Sequence, residues 1–424
     1  MKEAENRTKS LANKARRFLT NNAVSILFLV IGVLGLRVSG LSLPFFFEDI
    51  VNRLARNSFM VLSLIIPVMA GLGLNFAIVL GAMAGQAAII VVTHWKLGGI
   101  GGILLSTMLA FPLAVLLGIM TGRLLNRARG KEMITTLILG FFSNGIYQLV
   151  FLLLVGSVIP MKNDVLVLSS GVGLRTSIDL TGGLKNGLDD LLRVPFPLCA
   201  VLVGVILLLV TVIRVFIKKD THSKSRLLWW GVLGLALLGW GAFHVYTRSM
   251  FNFVRVPVST FLIVLGLCYF ITFFTRTKLG QDMRTVGQDR HIAEVAGIDS
   301  DRVRIIAMVM STVLASMGQI IFLQNLGTFS TYGSHEQAGM FAIAALLIGG
   351  ASVAKATIGQ ALLGTLLFHT MFIVSPLAGR TLFGDAQLGE FFRAFVAYGI
   401  IGLSLALHSW KKQMQAREEA RKSE

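Results

Sequence analysis

Polar side chains set inside apolar sequence are the residues of this chain best placed to do chemistry. Asn75, Gln86, Asn144, Gln319 and Gln324 each interrupt a long apolar run, and the aromatics Phe142 and Phe341 lie in runs of the same kind. Uncharged amides exchange hydrogen bonds with a neutral solute, and an aromatic face stacks on a ring. On this reading the seven residues line a route for a small polar solute near the membrane midplane. The plainer alternative is that the amides tie helices together, at about 0.6 kcal/mol each. Ionic chemistry is nearly absent from the same runs: Asp and Glu fall in loops and at run ends, and His369 is the one ionisable side chain deep within a run. A lone His among apolar helices is more often a packing residue than a proton relay. Cys199 and Cys268 have no metal-binding or disulfide spacing, and no Ser/His/Asp or HExxH arrangement occurs. Gly130-Lys131 is the one Gly-Lys pair, but Leu125 and Glu132 stand where a phosphate-binding loop requires Gly and Ser or Thr. The sequence therefore predicts no catalytic residues, no metal and no bound cofactor.

A second constellation lies in Arg276–Arg304. Gly287 and Gln288 precede Asp289, a residue suited to cap a helix N-terminus, and Gly297 suits the position after a helix C-terminus. This spacing predicts a two-turn helix over Arg290–Ala296, with Ile292, Val295 and Ala296 on one side and His291 and Glu294 on another. Asp299 and Ser300 then begin a new helix. Ala293, Ala296 and Gly297 are small enough to approach a groove on a partner closely. A short helix capped at both ends transmits a rigid-body push.

These residues need elements to hold them, and the composition says where those elements sit. Of 424 residues, 54% are apolar and 14% charged, against roughly a quarter charged in soluble domains. Helical membrane spans need roughly 20 apolar residues each. The runs 22–41, 59–78, 80–95, 98–121, 133–158, 196–216, 228–246, 259–275, 303–324, 339–353, 356–379 and 391–409 predict an all-α polytopic membrane protein of about twelve spans. The first run follows Lys14, Arg16 and Arg17 without a cleavage pattern and is read as an uncleaved span. With the N-terminus inside, the basic segments 1–21, 122–132, 217–227, 276–302 and 410–424 all fall on the cytoplasmic side, as the positive-inside rule requires. The net charge of +18 then reflects topology and anionic lipid rather than nucleic acid. The longest outside segment, 159–195, predicts either a short amphipathic helix over Leu180–Leu192 or a solvated loop. Gly85-Gln86-Ala87 recurs as Gly359-Gln360-Ala361, and the glycines Gly71, Gly73 and Gly81 have counterparts in Gly349 and Gly350. Paired Gly-interrupted segments of this kind mark solute routes in transporters built from two repeats.

The stretch Thr275–Gly280, then Met283-Arg284-Thr285-Val286-Gly287-Gln288-Asp289, Ala293 and Ala296-Gly297-Ile298 resembles the cytoplasmic coupling loop of ABC importer permeases serving ribose-type sugars, branched-chain amino acids and nucleosides. Asp301-Arg302-Val303 and the segment Ala342–Ser352 continue the resemblance. Gly81-Ala82-Met83-Ala84-Gly85-Gln86, with Glu132-Met133-Ile134-Thr135-Thr136, is most similar to permeases paired with purine-nucleoside-binding lipoproteins, although Ala84 replaces their acidic residue. The resemblance implies a single permease domain over 1–424 with two homologous core repeats, 59–158 and 255–409, and an inserted helical hairpin, 196–246. It implies a bacterial inner-membrane importer subunit, with both termini cytoplasmic, carrying a nucleoside or sugar-like solute; a sugar, a flavin or a branched-chain amino acid is the variant of that role. Arg284, Gly287, Gln288, Asp289, Ala293, Ala296, Gly297 and Ile298 would couple it to cytoplasmic ATPase subunits, which hold the ATP and Mg. A second permease, identical or homologous, and an extracytoplasmic substrate-binding protein are the other implied partners. A stand-alone secondary transporter and a membrane scaffold are the competing readings; the first is disfavoured by run interiors nearly empty of charge.

Overall fold

The computed structural model describes residues 22–216 and 224–423, and apolar sequence in it is helical almost throughout. The basic segment 1–21 and most of 217–227 lie outside the described residues. The helices are α1 (Ala23–Val38), α2 (Leu43–Ser63), α3 (Ile65–Met69), α4 (Ile78–His94), α5 (Gly99–Arg127), α6 (Glu132–Leu149), α7 (Phe196–Phe216), α8 (Lys224–Tyr246), α9 (Val258–Phe274), α10 (Lys278–Gln288), α11 (Arg290–Val295), α12 (Ser300–Leu326), α13 (Ser334–Ile348), α14 (Ile358–Phe383) and α15 (Ala386–Ser423). The chain is an all-α polytopic membrane protein. Among the described residues, six helices are long and apolar enough to cross a membrane, or seven if α9 and α10, bent by 76°, count as one. The shorter α1 and α4 are also apolar.

The expected span 59–78 is not one helix. α2 begins at Leu43 and stops at Ser63, the residue whose carbonyl the ring of Pro67, four positions later, crowds and leaves without an N–H partner. After α3 the chain runs irregularly to Ala77, with Gly71 and Gly73 both at φ 73°. A second break follows α13, where Gly350 has φ 85° and Thr357 caps α14 by accepting from the Gln360 N–H. The two breaks meet: a Cβ on Gly73 would lie 3.1 Å from both Val353 and Met133. The earlier start of α2 also places Glu48, Asp49, Arg53 and Arg56 within a helix, which corrects the expectation that charge is confined to loops and run ends. Arg53 pairs with Asp49 at 2.9 Å, and Arg56 donates to Asn325 at 3.2 Å.

α12 is the central helix and packs on α5, α4 and α2. Gly81 and Gly85 of α4 lie directly on the α12 backbone at Thr312 and Ser316, so these two glycines serve close helix packing. α5 runs the depth of the molecule, roughly 43 Å for its length. At one end the Gly99 N–H donates to Gly183 at 2.9 Å, and at the other Asn126 donates to the Asp301 carbonyl at 2.8 Å, beside α10 and α11. The loop end carries β1 (Ser177–Asp179), paired antiparallel with β4 (Thr328–Ser330). No amphipathic helix forms over Leu180–Leu192; only Asp189–Leu191 makes a 3₁₀ turn. Gly182, Gly183, Gly187 and Asn186, the last at φ 56°, interrupt it.

The hairpin α7–α8 stands apart, each helix packing mainly on the other. Its ends are held by β2 (Arg193–Pro195) and β3 (Arg255–Pro257), an antiparallel pair with Pro195 opposite Arg255, and Phe47 of α2 touches Phe196 and Phe251 at its base. Replacing 196–254 with Asn-Gly, the dipeptide suited to a two-residue hairpin turn, should leave the rest folded. Loss of the Phe47 contacts, about 1 kcal/mol, predicts a fall in melting temperature of about 2–4 °C, read by thermal unfolding in detergent. Aggregation of the deletion variant would show that the hairpin holds the core together.

Candidate functional site

Three helices bring buried amides together through partners that the sequence did not single out. Gln319 on α12 donates to the Gln86 side chain on α4 at 3.2 Å. Gln86 in turn donates to the Tyr147 hydroxyl on α6 at 2.9 Å and to the Thr331 carbonyl at 2.6 Å. One turn earlier on α6, Asn144 donates to Glu336 at 2.8 Å, and its carbonyl oxygen lies 2.9 Å from His335 Nε2. That contact requires the proton on Nε2, the tautomer in which Nδ1 is an acceptor. The rings of Tyr147 and His335 sit 4.5 Å apart and join the two groups of bonds. His335 and Glu336 stand just before the run 339–353; an apolar-run boundary at 339 left them outside, although Ser334-His335-Glu336 is a conspicuous polar triplet at a helix start.

The other proposed lining residues are dispersed. Asn75, in the first helix break, donates to Ser311 on α12 at 3.2 Å. Counting along α12 from Ser300, Ser311 lies about 16 Å deep and Gln319 about 28 Å. The Gln86 cluster and Asn75 therefore contact α12 about 12 Å apart along its axis. Gln324 is occupied with the loop 159–195, donating to Asp189 at 3.0 Å while its oxygen accepts from the Leu188 N–H at 3.4 Å. Phe341 packs on Phe368 and Phe372, with ring centroids 5.4 and 4.9 Å away. Phe142 is 65% exposed and faces a lateral cleft. His369 is buried among the same rings as Phe341, 5.1 Å from Phe368. The oxygens of Asn75 Oδ1 and Gln319 Oε1 and the nitrogen His335 Nδ1 are buried without a partner. An orphaned acceptor is costly unless a donor arrives. Among the described residues no His, Cys, Asp or Glu cluster could hold a metal.

At the opposite end the predicted capping is present. Asp289 accepts from the Ile292 N–H and Asp299 from the Arg302 N–H, each at 3.0 Å, and Gly297 has φ 80°. α10 was missed, although Leu279, Met283 and Val286 mark one face at helical spacing and Thr277 caps it by accepting from the Gly280 N–H. Met283 and Val286 are buried on α3 and the start of α12, in one apolar cluster with Ile66, Leu72 and Ala293. Ala293 is thus enclosed by its own chain and does not face a partner groove. Ile298 is partly buried in the same cluster, whereas Arg284, Gln288, Asp289 and Ala296 are exposed. Ile292 and Val295, three residues apart, are 60% and 77% exposed. Gly287 lies against the backbone of the first break: a Cβ there would overlap the Met69 carbonyl oxygen, and a Cβ on Gly71 would lie 2.8 Å from Gly287 Cα.

Charges fix this end. Asp301 bridges Arg290 at 2.7 Å and Arg129 at 3.1 Å, and the buried Arg304 pairs with Glu132 at 2.7 Å. Arg290 also donates to Glu294 at 2.7 Å, which holds the Glu294 carboxyl below its usual pKa. A cavity of about 550 Å³ opens where the breaks meet, lined by Leu72, Gly73, Met133, Leu137, Gly287 and Val353. The breaks, the cavity and the capped helices form one continuous assembly.

Relatives share this sequence in part. A branched-chain amino acid permease protein, BraD of Pseudomonas aeruginosa, is 29% identical over 153 residues, 36% of this chain and 44% of the relative. The probable ABC transporter permease YphD of Escherichia coli is 29% identical over 116 residues, 27% of this chain and 34% of the relative. The nucleoside ABC transporter permease NupB of Lactococcus lactis is 28% identical over 111 residues, 25% of this chain and 30% of the relative. The matched stretches span less than half the length of these curated relatives. No solved structure matches the chain. The model of one family, described as the permease component of branched-chain amino acid transport systems, matches residues 26–403. With that match covering most of its length, the chain belongs to the permeases of the branched-chain amino acid transport type.

Proposed function

We propose that this chain is the transmembrane subunit of an ATP-driven importer in the bacterial cytoplasmic membrane, with α10 and α11 facing the cytoplasm. Two ATPase subunits dock there, a second permease completes the pathway, and an extracytoplasmic binding protein delivers solute to the loop end. One observation carries this reading: a short capped helix exposes Ile292 and Val295, while its neighbour α10 touches the first helix break through Gly287. An apolar pair on an otherwise polar surface helix fits a groove on a partner, and a rigid contact to the break carries the partner's motion to the cavity. The basic loops agree with this sidedness. The core repeats 59–158 and 255–409 each contribute one break, on either side of the inserted hairpin.

The solute is a neutral molecule rich in hydrogen-bond donors, a nucleoside or a sugar. The unpartnered acceptors Asn75 Oδ1, Gln319 Oε1 and His335 Nδ1 support this class, as does the name of the nucleoside permease among the relatives. The names of other relatives point to branched-chain amino acids. Uptake of labelled nucleosides, sugars and amino acids into proteoliposomes containing permease, ATPase and binding protein decides among them. Dependence on ATP on the ATPase side is the expected result, and uptake driven by an ion gradient without ATP would overturn the reading. Ile292→Asp with Val295→Asp should abolish ATPase co-purification, since each buried side chain contributes about 1.5–3 kcal/mol. Undiminished co-purification would remove α11 from the interface.

A further inference from the structure

A cleft of about 720 Å³ opens sideways between α4, α5 and α6, on the face of α6 that carries Phe142. Its walls are apolar: Leu113, Leu117 and Met120 of α5 face Met83 of α4 and Phe142 and Ile146 of α6. Three hydroxyls lie within it: Thr121 donates to the Leu117 carbonyl at 2.8 Å, the Tyr147 hydroxyl accepts from Gln86 at 2.9 Å, and Ser143 is the third. At the α10–α11 end the cleft terminates at Arg123 and Arg127, one turn apart and both exposed. The uncharged stretch of α5 from Leu113 to Gly122 rises about 14 Å, close to half of a hydrocarbon core about 30 Å thick. A route for a polar solute would need polar lining across both leaflets. This cleft has apolar walls to the depth of one leaflet and two cations at the headgroup level.

We propose that this cleft is a binding site for an anionic phospholipid of the leaflet on the α10–α11 side, with one acyl chain between α5 and α6 and its phosphate on Arg123 and Arg127. Basic positions at the end of an apolar interhelical groove are the features that select anionic headgroups. The site stands apart from the transport reading and needs only that the chain spans a bilayer. It makes Phe142 a wall for an acyl chain rather than for solute. An occupied cleft would also wedge α6 at its distance from α5, and α6 carries Asn144 and Tyr147 of the buried cluster.

The test is native mass spectrometry of the purified full-length chain, delipidated and then titrated with equimolar phosphatidylglycerol and phosphatidylcholine. Wild type should retain phosphatidylglycerol preferentially. Arg123→Ala with Arg127→Ala should lower that preference roughly 30-fold, two juxtamembrane cations contributing about 1 kcal/mol each. Arg123→Lys with Arg127→Lys should keep most of it, because a phosphate accepts a point charge. Equal retention of the two lipids by wild type would overturn the proposal whether or not the alanine variant folds. So would a dimer without bound lipid in which Phe142→Cys cross-links to its copy, showing that a second chain fills the cleft. Displacement of phosphatidylglycerol by the transported nucleoside or sugar would overturn it in favour of solute.

Discussion

Gly287→Ala is expected to lower uptake at least about tenfold while ATP hydrolysis continues. The added methyl has no free space, because its place is already occupied by the Met69 carbonyl oxygen, and the neighbouring contact is the backbone of Gly71. Backbone cannot swing aside as a long side chain does, so α10 or the break must shift, at a cost of about 1–3 kcal/mol for overpacking. The shift falls on the backbone contact through which α10 meets the Gly71-Leu72-Gly73 segment that lines the cavity. Gly297→Val is the internal control. Gly297, unlike Gly287, has a positive φ of 80°, but a Cβ there meets nothing within 4 Å, so only the backbone strain of about 1–2 kcal/mol applies. Substrate-stimulated ATPase activity measured beside uptake separates the two. Normal coupling in Gly287→Ala would show that α10 and the break move independently.

Asp189→Ala should be the most destabilising single change at the loop end. Its carboxylate is fully buried and accepts from Thr260, from Gln324 at 3.0 Å and from Asn325 at 2.6 Å, with Arg193 at 3.9 Å. Truncation leaves two amides and a hydroxyl without their acceptor, while Arg193 keeps its pair with Asp190 at 3.0 Å; removing one partner of a buried ionic group costs about 3–5 kcal/mol. The carboxylate joins the 3₁₀ turn to α9 and α12, so the expected signs are a lower melting temperature and early protease cleavage within 159–195. Asp189→Asn, which keeps one acceptor, should fall between. An unchanged melting temperature would mean that the neighbouring amides find other partners.

The helix ends at the α10–α11 side were readable because capping is written locally: Asp289, Gly297 and Asp299 each act within three residues of their own position. The breaks were not readable from hydropathy, since Leu64–Ala77 is as apolar as a continuous span. Pro67, Gly71 and Gly73 were the available signals, and they alter backbone geometry without altering polarity. The amides divide on the same principle. Gln86, Asn144 and Gln319 do converge, but Gln324 turns to a carboxylate supplied by a loop 135 residues earlier. An amide's type says that it needs partners; only tertiary structure says which. The expected partner-facing role of Ala293 fails for a related reason: a small residue permits close approach from either side of a helix, and here its own chain takes the place.

The strand pair beneath the hairpin has a consequence for how the chain assembles. Central contacts join α12 to α4 and α5, elements far apart in sequence, and the entropy of closing such a loop grows with the length of chain between its ends. Once β2 and β3 pair, Pro195 and Arg255 are neighbours, and the intervening residues no longer count toward that separation. The hairpin itself needs only contacts local in sequence, which form early. Emerging from the ribosome before α12, it can insert and close on its own, so a bulky addition to the middle of the chain slows the search of the two flanking halves for each other by much less than its length suggests.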